Sequence, residues 1–208
     1  TYAFTHSHLR RKGSMTTAQK NRRARLEAHD GRADPRSIED GMLAALKLAA
    51  PEPQRLVVHS DEHPAYARAL RRLVGHAIEH RALSSTVART PANPLFPVNL
   101  MDLLLRHNLA CHKRETLAFA KLDLSVVLRA AWLIAWRNFT KPFSERHGGA
   151  TPAMRVGRED RPIPVREMLK WRLFPARVQL PEPWARYYRG ELRTPRIPNH
   201  RRHRLKLA

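Results

Sequence analysis

The chain has 208 residues, of which 42% are hydrophobic, so it can bury a substantial core and is not wholly disordered. Its 39 Lys and Arg residues against 18 Asp and Glu give a net charge of +21, which indicates a polyanionic partner such as nucleic acid. The most apolar stretch, residues 126–139, is too short to span a bilayer, so the sequence predicts no contact with a membrane. A single cysteine, Cys111, excludes an intrachain disulfide and favours a reducing, cytoplasmic location.

The first part of the chain predicts a short strand and a basic helix. Weak alternation of apolar and polar residues around Tyr2 and Phe4 favours the strand. A polar helix rich in Lys and Arg follows, with Thr16 or Thr17 at its N-cap and its end near Ala28.

A second helix is predicted before Pro51. Ser37 and Asp40 resemble a capping box, in which two side chains satisfy the free backbone N–H groups at a helix start. The apolar residues that follow recur with helical spacing up to Pro51, which predicts an amphipathic helix with one face in the core.

Residues 56–61 predict a buried strand, because two adjacent valines suit the pleated surface of a sheet. Pro64 then suits the first position of a helix that continues to Val74 and ends at Gly75. Residues 76–81 predict the next strand. This order of strand, helix and strand is typical of an α/β protein.

Two interpretations of Asp61 follow from its place at the end of the first of these strands. Open α/β sheets bind ligands at the carboxyl ends of their strands, which favours a functional carboxylate. The simpler alternative is that Ser60 and Asp61 only cap the helix that begins at Pro64.

A second acid, Glu115, is surrounded by cations in the segment that follows a helix predicted over residues 95–110. Lys113 and Arg114 precede it, Lys121 follows it, and a long helical pattern is predicted over residues 115–139. Such an acid either belongs to a surface network of ion pairs or holds a metal ion against a phosphate backbone.

Asp102 is the reserve candidate for a metal ligand, although its position also suits an ion pair with Arg106 four residues later. The sequence leaves both roles open.

The C-terminal part begins with a short helix after Thr151 that ends at Gly157. Residues 161–208 then contain thirteen Lys and Arg and three Glu, so this proline-rich segment carries +10 of the net charge. Residues 184–189 alternate aromatic and basic side chains, including Arg186 and Arg189. This pattern is typical either of a nucleic-acid-binding surface or of a short helix that packs on the core.

Residues 55–66 and 93–121 together resemble the catalytic half of a DDE insertion-sequence transposase, and the resemblance covers residues 37–157. It implies a ribonuclease-H-like mixed sheet flanked by helices. Asp61 corresponds to the second catalytic acid of that family, Glu115 to the third, and Lys121 to a cation that contacts DNA.

The resemblance implies a ribonuclease-H-like core over residues 1–157 and a basic, proline-rich appendage over residues 158–208. The family places its first acid on an earlier strand, whereas this sequence has no acid before Glu27. We therefore expect the chain to be the C-terminal part of a transposase that begins upstream of Thr1. A copy that binds DNA but no longer cuts it is the alternative explanation.

The implied function is DNA transposition, with Mg²⁺- or Mn²⁺-dependent nicking and transfer of a 3′ hydroxyl into target DNA. Asp61 and Glu115 are the expected catalytic metal ligands, and we expect their carboxylates about 4–6 Å apart. The cations expected to contact DNA are Lys113, Arg114, Lys121, Arg186 and Arg189. The expected partner is double-stranded DNA in the bacterial nucleoid, with a homodimer left open. The alternative function is a non-catalytic, basic nucleic-acid-binding protein.

Overall fold

The computed structural model describes residues 3–10, 13–113, 120, 122–144, 148–171, 177 and 179–194. Its helices are α1 (Thr17–Asp30), α2 (Ser37–Ala49), α3 (Pro64–Arg71), α4 (Phe96–Asn108), α5 (Asp123–Phe139), α6 (Pro152–Arg155), α7 (Val165–Met168) and α8 (Trp184–Tyr188). Strands β1 (Arg55–Asp61) and β2 (Ala77–Leu83) form a parallel sheet of two strands. The mixed α/β class is confirmed for the described residues, while the ribonuclease-H-like arrangement stays a prediction.

The β1–α3–β2 unit closely follows the prediction from sequence. Arg55 pairs with Ala77, and the register continues until Asp61 pairs with Leu83 at the carboxyl ends of both strands. The predicted helix begins at Pro64 but ends at Arg71 rather than at Val74, because tight turns close the chain before the second strand.

Helix α3 packs against α2 through small and charged side chains. Ala65, Ala69 and Leu70 are buried on α3. On α2, Glu39 is buried as well, and its carboxylate accepts hydrogen bonds from Nε of Arg68 at 2.8 Å and Nη1 of Arg72 at 2.7 Å. These hydrogen bonds lower the pKa of Glu39 and keep it charged in its buried position.

The N-terminal segment, residues 3–10, contains no strand, so the strand predicted around Phe4 is wrong within the described residues. Its polar groups bond to α2 instead of to a second strand, since Thr5 Oγ1 donates to Gly41 O and Ser7 Oγ donates to Ser37 O. Tyr2 lies outside the described residues.

The capping box predicted at Ser37 is also wrong. Arg36 occupies the N-cap position of α2 without a side-chain hydrogen bond, and the Ser37 hydroxyl donates to His8 O at 2.6 Å. The hydroxyl therefore holds the N-terminal segment and does not cap the helix.

The long helix α5 begins at Asp123 and not at Glu115, so its predicted start is wrong. Ala120 is not helical and Leu122 is the N-cap residue. Asp123 places an acid in the first turn, where the helix dipole favours negative charge, and its backbone N–H donates to Thr194 Oγ1 at 2.7 Å. Glu115 itself lies outside the described residues.

The C-terminal elements pack against α5 and the N-terminal segment. Thr151 is fully buried and caps α6 as predicted, and the chain then turns at Gly157 with a φ of 67°. Ile163 is buried, and its backbone N–H donates to Phe139 O at 2.8 Å. The division between residues 157 and 158 stays a prediction.

Among the described residues, no helix has both the length and the apolar character needed to cross a membrane.

Candidate functional site

Asp61 lies where the sequence places it, at the carboxyl end of β1, and its side chain is exposed. Oδ1 of Asp61 accepts a hydrogen bond from the backbone N–H of His63 at 2.9 Å. His63, and not Ser60 or Asp61, caps α3, because its Nδ1 accepts from the N–H of Ala65. The carboxylate therefore stabilises the turn before the helix, and within the described residues no hydrogen bond or ion pair involves its Oδ2.

Ser60 is buried and connects the ends of the two strands. Its hydroxyl donates to the carbonyl oxygen of Asp61 at 2.8 Å and lies 2.8 Å from Nε2 of His80 on β2. Because the hydroxyl proton is engaged by the Asp61 carbonyl, Nε2 of His80 is the donor to Ser60 Oγ. This pair fixes the strand end that carries Asp61, and no pattern in the sequence predicted the contribution of His80.

Three further polar groups surround Asp61. Burial and the negative charge of Asp61 both raise the pKa of Tyr66, so its phenol stays protonated at neutral pH. The rings of His63 and Tyr66 lie 5.5 Å apart between centroids. Glu62 is exposed, and its Oε2 accepts from the N–H of Ser85 after β2 at 3.3 Å. The carboxyl edge of the sheet thus combines acidic, phenolic and imidazole groups.

Of these residues, Asp61 supplies an exposed carboxylate that suits a divalent metal ion. Mg²⁺ is commonly held by one or two protein carboxylates together with phosphate oxygens of the substrate. The carboxylate of Asp61 is chemically suited to be one of these ligands. Within the described part of the chain, no group of three or more His, Cys, Asp or Glu side chains could hold a metal ion. Glu115, the second expected ligand, lies outside the described residues, and the expected distance to Asp61 stays a prediction.

The reserve acid Asp102 is an ion-pair partner. Its Oδ1 accepts from Nε of Arg106 at 3.0 Å, and its second oxygen pairs with the same guanidinium. The two residues are one helical turn apart on α4, which explains the pairing and confirms the ion pair with Arg106 that the sequence offered as one role of Asp102.

Only some of the cations expected to contact DNA lie within the described residues. Lys113 is exposed just after a short 3₁₀ turn at Ala110–His112. Arg114 and Lys121 lie outside the described residues.

Helix α8 agrees in part with both interpretations of the aromatic and basic pattern, the nucleic-acid-binding surface and the short helix that packs on the core. Tyr187 is buried, and its hydroxyl accepts from the N–H of His6 at 2.9 Å. Arg186 and Arg189 are exposed, and Arg189 lies 3.6 Å from a carboxylate oxygen of Glu182. The aromatic side chains therefore pack on the protein, while the arginines remain accessible to a polyanion.

No family model, curated protein or solved structure matches the chain, and the functional assignment therefore rests on its own residues and their geometry.

Proposed function

We propose that the chain is part of a DDE-type DNA transposase in which Asp61 and Glu115 hold Mg²⁺ or Mn²⁺ for DNA nicking and strand transfer. The observation that carries the proposal is the exposed Asp61 carboxylate at the carboxyl end of a parallel β–α–β unit. Ligand sites of α/β sheets lie at such strand ends. Transposon ends and target DNA would be its partners, with a homodimer as one assembly.

Each residue has a defined part in this proposal. The N–H of His63 holds Oδ1 of Asp61, which fixes the carboxylate and leaves Oδ2 to bind the ion. When bound, the metal ion would activate the attacking oxygen and stabilise the leaving oxygen of the phosphodiester. Lys113 would neutralise phosphates close to the cut, together with Arg114 and Lys121.

Duplex DNA is the partner that the charge of +21 favours. Binding should weaken steeply with salt, because every phosphate neutralised by Lys or Arg releases counterions. The exposed Arg186 and Arg189 would extend the contact beyond the sheet edge.

The test is metal-dependent nicking of supercoiled plasmid, measured on gels with and without EDTA. We expect Asp61→Asn or Glu115→Gln to abolish metal-dependent nicking, while DNA binding persists. Glu62→Gln is the matched control, since it neutralises an exposed acid next to Asp61 and should preserve nicking. Nicking that survives both substitutions would refute the roles of Asp61 and Glu115.

A non-catalytic, basic nucleic-acid-binding protein is the second candidate function. It is favoured by the hydrogen bond from His63 N to Asp61 Oδ1, which gives this acid a structural purpose. Under this alternative, Asp61→Asn lowers the melting temperature, and the protein binds DNA without cutting it at any Mg²⁺ or Mn²⁺ concentration.

A further inference from the structure

A second candidate site lies away from Asp61, in a cavity of about 930 Å³ bordered by α5, α6, α8 and the N-terminal segment. Its size is in the range of small-molecule and cofactor sites. Its apolar walls include Phe4, Ile134, Phe139, Phe143, Val156 and Trp184.

The sequence creates this space by placing small residues opposite aromatic ones. Ala131 and Ala135 lie one helical turn apart on α5 and leave room beside the helix. The facing wall is fixed, because Trp184 Nε1 donates to the carbonyl oxygen of Phe4 at 2.9 Å and the two rings stack with centroids 5.6 Å apart. The cavity therefore has a rigid aromatic wall.

The mouth of the cavity carries charge. The guanidinium of Arg155 lies 4.2 Å from the centroid of the Phe143 ring, a cation–π contact that holds this cation at the rim. Arg158 is an exposed cation at the same rim, and Glu159, which is half-buried, adds one carboxylate. An occupant should thus combine a flat apolar body with hydrogen-bond donors and an adjacent negative charge.

We propose that this cavity binds one unstacked base of a DNA strand, with the adjacent phosphates held by Arg155 and Arg158. A base stacks on aromatic walls, its amino group can donate to Glu159, and its phosphates match the cationic rim. The inference rests on the DNA-binding part of the proposed function and is independent of nicking at Asp61.

The experiment compares the affinity of the full chain for two duplexes by fluorescence anisotropy. One duplex is fully paired, and the other contains a single bulged adenine, which needs no unpairing before it enters a pocket. We expect about tenfold tighter binding of the bulged duplex, as for the stacking of one base on an aromatic side chain. Ala135→Leu places a larger apolar side chain in the cavity where the base would stack, without changing charge, and should abolish this preference while binding to paired DNA is retained.

Two further variants serve as a matched control and as a substitute for Ala135→Leu. Leu103→Phe, at a 62% exposed position on α4, enlarges an apolar side chain outside the cavity and should retain the preference. If Ala135→Leu fails to fold, Val156→Phe obstructs the mouth at a half-exposed position and should have the same effect.

The outcomes separate this inference from the proposed function. A preference that survives Ala135→Leu, or a wild-type chain that binds both duplexes equally, refutes the base pocket but leaves DNA binding intact. No binding to either duplex refutes both. Competition by free adenosine monophosphate as effective as that by the bulged duplex would identify a nucleotide site and overturn the assignment to a DNA strand.

Discussion

The β1–α3–β2 unit and the aromatic cavity beside α5 are formed by residues at very different distances along the chain. Asp61 lies exposed in a strand–helix–strand unit whose elements follow one another in sequence, whereas the cavity depends on residues far apart in the chain. Phe4 and Trp184 face each other across 180 positions. Asp61 and the residue that holds it, His63, are two positions apart. Local contacts are enough to position Asp61 itself, whereas the wall of the second region forms only when the two ends of the described chain come together.

The N-terminal segment connects the two regions. Thr5 and Ser7 bond to α2, which packs on α3, while His6 and Phe4 contact α8. We therefore expect the regions to unfold together rather than one after the other.

The largest effect should come from removing core side chains in each region. Leu70 on α3 is 5% exposed and Leu133 on α5 is 6% exposed. Leu70→Ala and Leu133→Ala should each reduce the free energy of unfolding by about 3 kcal/mol, because both leave a cavity in a packed core. The measurement is urea denaturation followed by circular dichroism and by tryptophan fluorescence.

Circular dichroism and tryptophan fluorescence together test whether the two regions unfold as one unit. Tryptophan residues occur only from Trp132 onward, so fluorescence reports on the second region, whereas circular dichroism averages over all helices. Coincident midpoints in both variants support one cooperative unit. A Leu70→Ala variant whose fluorescence midpoint stays at the wild-type value would show that the N-terminal segment does not couple the regions.

A smaller effect should come from the contact between this segment and α2. A Cβ atom at Gly41 would lie 2.3 Å from Ser7 Oγ but 3.6 Å from Ser7 Cβ. Gly41→Ala should therefore displace the Ser7 hydroxyl from its bond to Ser37 O and fail to stabilise the wild type. In a Ser7→Ala background, the same substitution should stabilise the protein by about 1 kcal/mol through helix propensity.

A double-mutant cycle of thermal unfolding measures this coupling. Equal effects of Gly41→Ala in both backgrounds would contradict the packing of Ser7 on α2. The Ser7→Ala single variant is the control for the lost hydroxyl.

Local patterns in the sequence were sufficient to predict those parts of the fold that are determined by neighbouring residues. The valines of β1 and Pro64 at the start of α3 predict the β–α–β unit, because each acts within a few positions. The ion pair of Asp102 with Arg106 is similarly local. Gly75 was predicted to end the helix, but it lies in the turn before β2, three residues beyond the C-cap residue Arg72.

The predictions failed where distant groups compete for the same atoms. The Ser37 hydroxyl could satisfy its own helix or bond to His8, and the tertiary contact prevails. The predicted strand around Phe4 is replaced by contacts to α2 and α8. Alternation over so few residues carries too little information to foresee those partners. The cavity was missed for the same reason, since small residues on α5 are also compatible with close helix packing.

The smallest predicted effect concerns His6, the residue of the N-terminal segment that lies between the two regions. Burial lowers the pKa of His6 below its ordinary value of 6.5, the positive charge of neighbouring His8 acts in the same direction, and the carboxylate of Asp123 opposes both. The folded chain therefore binds this proton less readily than the unfolded chain. Stability should be full above pH 6.5 and should fall as the pH decreases from 6.5 towards the lowered pKa.

His6→Gln should flatten the decrease in melting temperature between pH 7 and pH 5, where ordinary carboxylates with a pKa near 4.5 are still ionised. Asp123→Asn should make the decrease steeper, because it removes the charge that favours protonated His6. Above pH 7.5 the imidazole is neutral in both states, so differences between each variant and the wild type should stay constant with pH. Identical slopes for the wild type and both variants would show that contact between the N-terminal segment and α5 does not depend on the charge of His6.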